Sequence, residues 1–146
     1  MSALAVPAAR SGSPVTFSLI VNTNDRAAPL ATLLRALEGQ TYPHFEVLVV
    51  VGPTRDHTLD VLRPYGERVR VLRCPQPNLS ISRNLGLLAA CGDVVAYIDD
   101  DAVPCANWLA QLAARFAAGL LDASGGDVRL VHPERAQLQH RLGIIS

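Results

Sequence analysis

The 146-residue chain contains no lysine; all thirteen of its cations are arginine. They balance thirteen acids to a formal net charge of zero, which removes any global pull toward nucleic acid or an anionic membrane. Arginine without lysine suits bidentate phosphate binding; it is equally what a coding bias rich in alanine and arginine would leave. Cysteine is scarce as well. Cys74, Cys91 and Cys105 are odd in number and show no Cys-x-x-Cys spacing, which argues against a zinc site or a disulfide scaffold and for a reducing compartment. They read as small buried hydrophobes. No apolar run approaches the ~18 residues that span a bilayer. Residues 1–14 lack a cationic start and a long apolar core, so they read as a flexible tail rather than a signal peptide. The expectation is a soluble, cytoplasmic protein.

What is present is a globular balance, 49% hydrophobic and 18% charged, enough for one domain with a real core. Residues 15–22 form a short apolar strand candidate, followed by the polar turn Thr23-Asn24-Asp25-Arg26. Pro29 sits where a helix would start, with Leu30, Leu33, Leu34 and Leu37 at helical spacing ahead of Gly39. Residues 45–51 are almost continuously apolar, as in a central strand covered on both faces. Gly52-Pro53-Thr54 ends that run, and Leu59, Leu62 and Tyr65 suggest a short helix. Residues 69–72 make a third strand and residues 74–78, with two prolines, a loop. Residues 80–90 predict a helix with Ile81, Leu85 and Leu88 on one face. A strand at 94–98, a helix marked by Trp108, Leu109, Leu112 and Phe116, and a last possible strand at 128–131 complete the order. Strands alternating with helices over short loops predict an α/β fold with a mostly parallel sheet and flanking helices. In such sheets ligands bind beyond the carboxyl ends of the strands. Three polar clusters lie there: 22–26, 52–56 and 99–101.

The third cluster is the strongest chemical signal. Asp99-Asp100-Asp101 closes the apolar run Val94-Val95-Ala96-Tyr97-Ile98. Three neighbouring carboxylates repel one another unless something cationic is near. A hard divalent ion with oxygen ligands, or a metal-held phosphate, would supply that charge; an exposed acidic turn is the plain alternative. A second signal is Ser80-Ile81-Ser82-Arg83-Asn84. Ser80 can cap a helix whose free backbone N–H groups face an anion. Arg83, in the first turn, is mildly unfavourable against the helix dipole unless it faces a phosphate or carboxylate; it can also be a surface arginine paired with Asp93.

Several segments, taken in order, resemble one family. They are Val21-Asn22-Thr23-Asn24-Asp25-Arg26, Gln40-Thr41-Tyr42-Pro43-His44-Phe45-Glu46, Ser80-Ile81-Ser82-Arg83-Asn84-Leu85-Gly86 with Ala89-Ala90-Cys91-Gly92-Asp93, Asp99-Asp100-Asp101-Ala102-Val103-Pro104, and Trp108-Leu109. Together they look like the nucleotide-binding half of a family 2 inverting glycosyltransferase of the Rossmann-like GT-A fold. The acid triplet is similar to that family's DXD signature.

The resemblance implies a domain over residues 15–131 that binds a nucleotide diphosphate sugar with Mg2+ or Mn2+. Asp101 would ligate the metal and Asp99 contact the ribose, with Asp100 the permissive middle position. Thr23 and Asn24 would line the base and ribose pocket, and Arg83 would lie over the nucleotide or its diphosphate. The sugar would pass with inversion to an unknown acceptor: a sugar, a glycan or a lipid-linked glycan. Two departures stand out. Where the family carries acids after its second strand this chain has Val51-Gly52-Pro53, with Asp56 four or five positions late. The family's general base and acceptor half would follow Gly125-Gly126, and residues 132–146 are too few to supply them. Glu134, His132 and His140 read as surface residues. A missing half would leave apolar surface exposed, which predicts self-association or peripheral membrane contact. The alternatives are a truncated nucleotide-sugar-binding module without transfer, and a nucleotidyltransferase. The latter wants a Gly-rich loop after its first strand, and residues 22–29 contain no glycine. A phosphoacceptor receiver-like domain would want a lysine near its last strand.

Overall fold

The computed structural model describes residues 13–119 and 124–125. The tail up to residue 12, the strand expected at 128–131 and the segment 132–146, with His132, Glu134 and His140, lie outside the described residues. The elements run β1 (Phe17–Thr23), α1 (Ala27–Glu38), β2 (Phe45–Val51), α2 (Thr58–Leu62), a 3-10 stretch (Arg63–Arg68), β3 (Val69–Arg73), α3 (Leu79–Ala89), β4 (Val94–Asp99) and α4 (Trp108–Ala117). The four strands form one parallel sheet in the order β3-β2-β1-β4. This is the Rossmann-like half that the alternation of elements predicts.

The sheet is covered on both faces, and strand periodicity decides which residue serves which face. Phe17, Leu19 and Val21 of β1, with Val47, Val49 and Val51 of β2, join Leu30, Leu33, Leu34 and Leu37 of α1 and Leu109 of α4 in the larger core. Ile20 and Val50 point the other way, into a smaller cluster with Cys74, Leu72, Leu85 and Val95. β2 therefore reads as an almost continuous apolar run, broken only by Glu46, because both of its faces are buried from Val47 onward.

α3 departs from the predicted face. Its buried residues are Ser82 and Gly86, while Ile81 is partly and Leu88 largely exposed (86%). The reason is proximity. A Cβ on Gly86 would stand 2.4 Å from Ile20 Cγ2, so only glycine lets α3 lie this close to β1. The start of α3 also differs. Asn78, not Ser80, is the cap: its Oδ1 accepts from Ser80 N at 2.9 Å and Ile81 N at 3.1 Å. Two of the amides expected to await an anion are thus already bonded. Among the cysteines only Cys74 is buried; Cys91 and Cys105 are exposed. Among the described residues no helix is long and apolar enough to cross a membrane.

Candidate functional site

Strand order decides where a ligand can sit. From β1 the chain steps outward to β2 and β3, then returns to place β4 on the other side of β1. The connections therefore diverge at the β1/β4 boundary, and a crevice opens beyond the carboxyl ends of those two strands. A cleft of about 400 Å³ occupies that position. The register pairs Asn22 with Asp99, which brings the end of β1 and the acid triplet side by side. Thr23, Asn24, Asp99, Asp100 and Asp101 all line this cleft.

Their environments differ sharply. Asp100 is buried (7% exposed), whereas the Asp101 side chain is 60% exposed. Burial pushes the Asp100 carboxyl above the usual aspartate range, with the neighbouring Asp101 charge adding to it; the Thr23 hydroxyl and the Arg26 guanidinium act in the opposite direction. The middle residue of the triplet, expected to be permissive, is in fact the one packed into the protein. Thr23 Oγ1 is buried yet has no hydrogen-bond partner: it lies near enough to Asp100 to temper its charge, but not in hydrogen-bonding geometry. A buried hydroxyl left without a partner costs about 1–3 kcal/mol, which a ligand entering the cleft could recover.

Arg83 takes a different place from its neighbours. Its guanidinium lies over the Tyr97 ring, 5.7 Å from the centroid, outside the residues that line the cleft. Helical geometry explains this. Ser82 points at the sheet and donates to Asn22 Oδ1, so the next residue is turned about 100° away, toward the β4 edge. Asp93, the acid considered as an alternative partner, accepts from Thr16 N and Thr16 Oγ1 at 2.9 and 2.7 Å.

Two loops form the cleft's upper wall, and Asp25 and Asp56 fasten them together. Asp25 adopts φ of +52°, a left-handed conformation that aspartate tolerates better than most residues. Its Oδ1 accepts from Arg55 N (2.5 Å), Thr54 Oγ1 (2.9 Å) and Asp56 N (3.2 Å). Asp56 accepts from Ala27 N at the start of α1 and from Thr58 N at the start of α2, both at 2.9 Å. Hydrogen bonds from Thr58 and Thr54 hold its carboxyl well below the usual range, and the Arg55 amide and Thr54 hydroxyl lower Asp25 likewise. Asp56 is therefore a clamp between loops and does not line the cleft; it is no late substitute for a base-contacting acid. In the place of such an acid stands Gly52, against which the Asn24 side chain rests so closely that a Cβ would meet Asn24 Oδ1 at 2.8 Å.

Sequence reasoning missed the opposite wall. Gln76 and Asn78, from the loop after β3, also face the cleft, beside Ser82 of the Ser80–Asn84 segment already singled out. The available signal was their position at the carboxyl end of a strand. It also passed over Arg26, the cation that lies on the triplet. Gln40 is a further case. Its amide bridges the loop after the triplet to α4, donating to Cys105 O at 2.8 Å and accepting from Leu109 N at 3.1 Å.

Whether these residues suit a divalent ion follows from their donor set. Asp99 and Asp101 offer hard oxygen ligands at an open cleft. Among the described residues no group of three His, Cys, Asp or Glu side chains converges on one point. A partial carboxylate shell completed by phosphate oxygens and water is the usual setting of Mg2+, so the residues fit such an ion.

Comparison with known proteins agrees with this geometry. The model of a family described as glycosyl transferase family 2 matches residues 18–144. Glycosyltransferase AglE of Haloferax volcanii is 28% identical over 122 residues, covering 80% of this chain and 40% of that protein. The structure of residues 1–349 of Staphylococcus aureus TarS in complex with UDP-GlcNAc superposes with a TM-score of 0.68 at 27% identity, over 79% of this chain and 37% of that one. A mannosyltransferase from Pyrobaculum calidifontis, in complex with GDP-Man and Mn2+, shares the fold with a TM-score of 0.65 at 23% identity, over 78% of this chain and 35% of that one. The match thus spans 40% of the length of AglE and 20% of that of full-length TarS.

Proposed function

This chain belongs to glycosyl transferase family 2, and we propose that its cleft binds a nucleotide diphosphate sugar through a divalent ion, as the donor half of an enzyme that transfers the sugar with inversion. The observation that carries the reading is the convergence, at the switch point of the sheet, of exposed Asp99 and Asp101 carboxylates with the orphaned Thr23 hydroxyl. The UDP-GlcNAc of the TarS complex and the GDP-Man and Mn2+ of the archaeal mannosyltransferase support this ligand class.

Each residue then has a task. Asp101, exposed at the cleft, holds the metal. Asp99 accepts from a ribose hydroxyl, and Thr23 and Asn24 line the base and ribose pocket. Asp100 is fixed by burial and by Arg26, which keeps the triplet's backbone turn in place. Arg83 reaches the diphosphate only by leaving the Tyr97 ring. When bound, Mg2+ or Mn2+ would act as a Lewis acid that neutralises the departing diphosphate. The Asn24 side chain against Gly52, in place of an acid, points to a base edge read by an amide rather than by a carboxylate.

A binding module without transfer is the second reading. It is favoured by one fact: among the described residues, the triplet supplies every acid that lines the cleft, leaving none to deprotonate an acceptor hydroxyl. Calorimetry with UDP, GDP and UDP-GlcNAc, with and without Mn2+, tests the donor site. Metal-dependent binding that disappears in Asp101→Ala is expected; no binding under any metal condition defeats the proposal. Release or transfer of the sugar then separates enzyme from module.

A further inference from the structure

The cation that meets the acid triplet is Arg26, in the loop between β1 and α1. Its fork spans two carboxylates: Nε lies 2.8 Å from Asp100 Oδ1 and Nη2 lies 2.6 Å from Asp101 Oδ2. The two contacts are unequal. The Asp100 side chain is only 9% exposed, so that pair is shielded from solvent, whereas Asp101 is 60% exposed and its pair is open to water and ions. The root of the side chain is held. Arg26 O accepts from Leu30 N at 3.1 Å, while the neighbouring Asp25 and Ala27 belong to the loop clamp. Movement is therefore left to the guanidinium tip, which lines the cleft.

Resting on the metal-dependent donor site proposed above, we infer that Arg26 is an internal counter-ion that stands in for the divalent ion at Asp101 and yields when a metal–diphosphate arrives. Nη2 then passes from Asp101 to a phosphate oxygen, while Nε stays on Asp100. The physics is competition followed by exchange. A guanidinium and a divalent cation repel each other across one carboxylate, so the free protein opposes bare metal. The diphosphate brings the anionic oxygens that a planar fork binds well, so the displaced tip finds a better partner. Arg26 would thus couple metal to nucleotide: weak metal binding alone, strong binding of the two together.

Opposite signs make this testable without any activity assay. Free Mn2+ is followed by electron paramagnetic resonance in the 146-residue chain and in Arg26→Gln, first alone and then with UDP or GDP at saturating Mn2+. Arg26→Gln should bind Mn2+ alone about two- to fivefold more tightly, the scale of one part-exposed ion pair. It should bind the nucleotide with Mn2+ more weakly by a similar factor. In Asp101→Asn the Mn2+ effect of removing Arg26 should vanish. Should Arg26→Gln not fold, Arg26→Lys carries the comparison, because one ammonium does not reproduce the two-pronged contact; it should show a smaller change of the same signs. Unchanged or weaker Mn2+ binding in the variants, or none in any protein, overturns the counter-ion. Tighter Mn2+ binding in the variants with no nucleotide bound by the native chain under any condition instead defeats the donor site and leaves the competition standing.

Discussion

Gly86→Ala probes how the sheet and the cleft depend on one close contact. The new Cβ would stand 2.4 Å from Ile20 Cγ2, 3.2 Å from Cδ1 and 3.3 Å from Cγ1. Carbon atoms prefer about 3.5–4.0 Å, so the first contact is short by roughly an ångström. Ile20 is fully buried on the central strand, and the nearest atom, Cγ2, is not the far end of a flexible side chain. Two effects oppose each other. Alanine gains up to about 1 kcal/mol over glycine inside a helix, whereas overpacking a core typically costs about 1–3 kcal/mol. An ångström exceeds what side-chain relaxation absorbs, so overpacking wins, with a net loss of up to about 2 kcal/mol. α3 would have to lift from β1. Ser82, one turn earlier, would then lose its bond to Asn22 and the cleft wall would shift, lowering nucleotide affinity as well. Urea unfolding of Gly86→Ala is compared in the native and Ile20→Ala backgrounds. Ile20→Ala removes all three carbons that the new methyl would meet, so alanine at 86 should be neutral or stabilising there. Gly86→Ala that stabilises the native background, or costs the same in both, refutes the clash.

Thr23→Val should weaken nucleotide binding while changing stability little, since removing a buried hydroxyl without a partner is offset by losing the group that tempers the Asp100 charge; a calorimetric titration and a melt check the two. Asp25 and Asp56 have carboxyls held below their unfolded values, so the stability they contribute is present above the ordinary aspartate range and is lost as pH falls from about 4 through their lower folded values. Asp56→Asn should therefore flatten the acid limb of urea-derived stability below about pH 5, where the carboxyl begins to protonate in the unfolded chain; an unchanged slope would remove the clamp from the account. Asp101→Ala should abolish metal-dependent nucleotide binding while leaving the melting temperature nearly unaltered, because its side chain is mostly exposed.

Much of the fold could be read from residue pattern. The strand at residues 45–51 is read to the residue, because a strand buried on both faces announces itself as an almost continuous apolar run. Leu30, Leu33, Leu34 and Leu37 marked the buried side of α1 for the same reason, a stripe at helical spacing facing one core. α3 escaped that logic. Ile81, Leu85 and Leu88 looked like its inner face; Leu85 does pack against the Ile20 cluster, but the buried positions are Ser82 and Gly86, where closeness of approach outweighed hydrophobicity. All three cysteines lie in connecting segments, and only Cys74 packs against the sheet, beside Ile20 and Val50; Cys91 and Cys105 are left exposed.

By itself the chain's sequence determined the alternation of strands and helices, the buried central strands and the acid triplet at a strand's end, since each depends on spacing along the chain. The tertiary structure alone decided that β4 returns to β1 and opens a cleft there. It decided too that Asp100 is the buried acid, that Asp56 clamps two loops, that Arg83 rests on Tyr97 and that Arg26 reaches the triplet from 75 positions away. These are contacts between segments distant in sequence, and the balance of burial, repulsion and hydrogen bonding that selects them exists only once the sheet has brought those segments together.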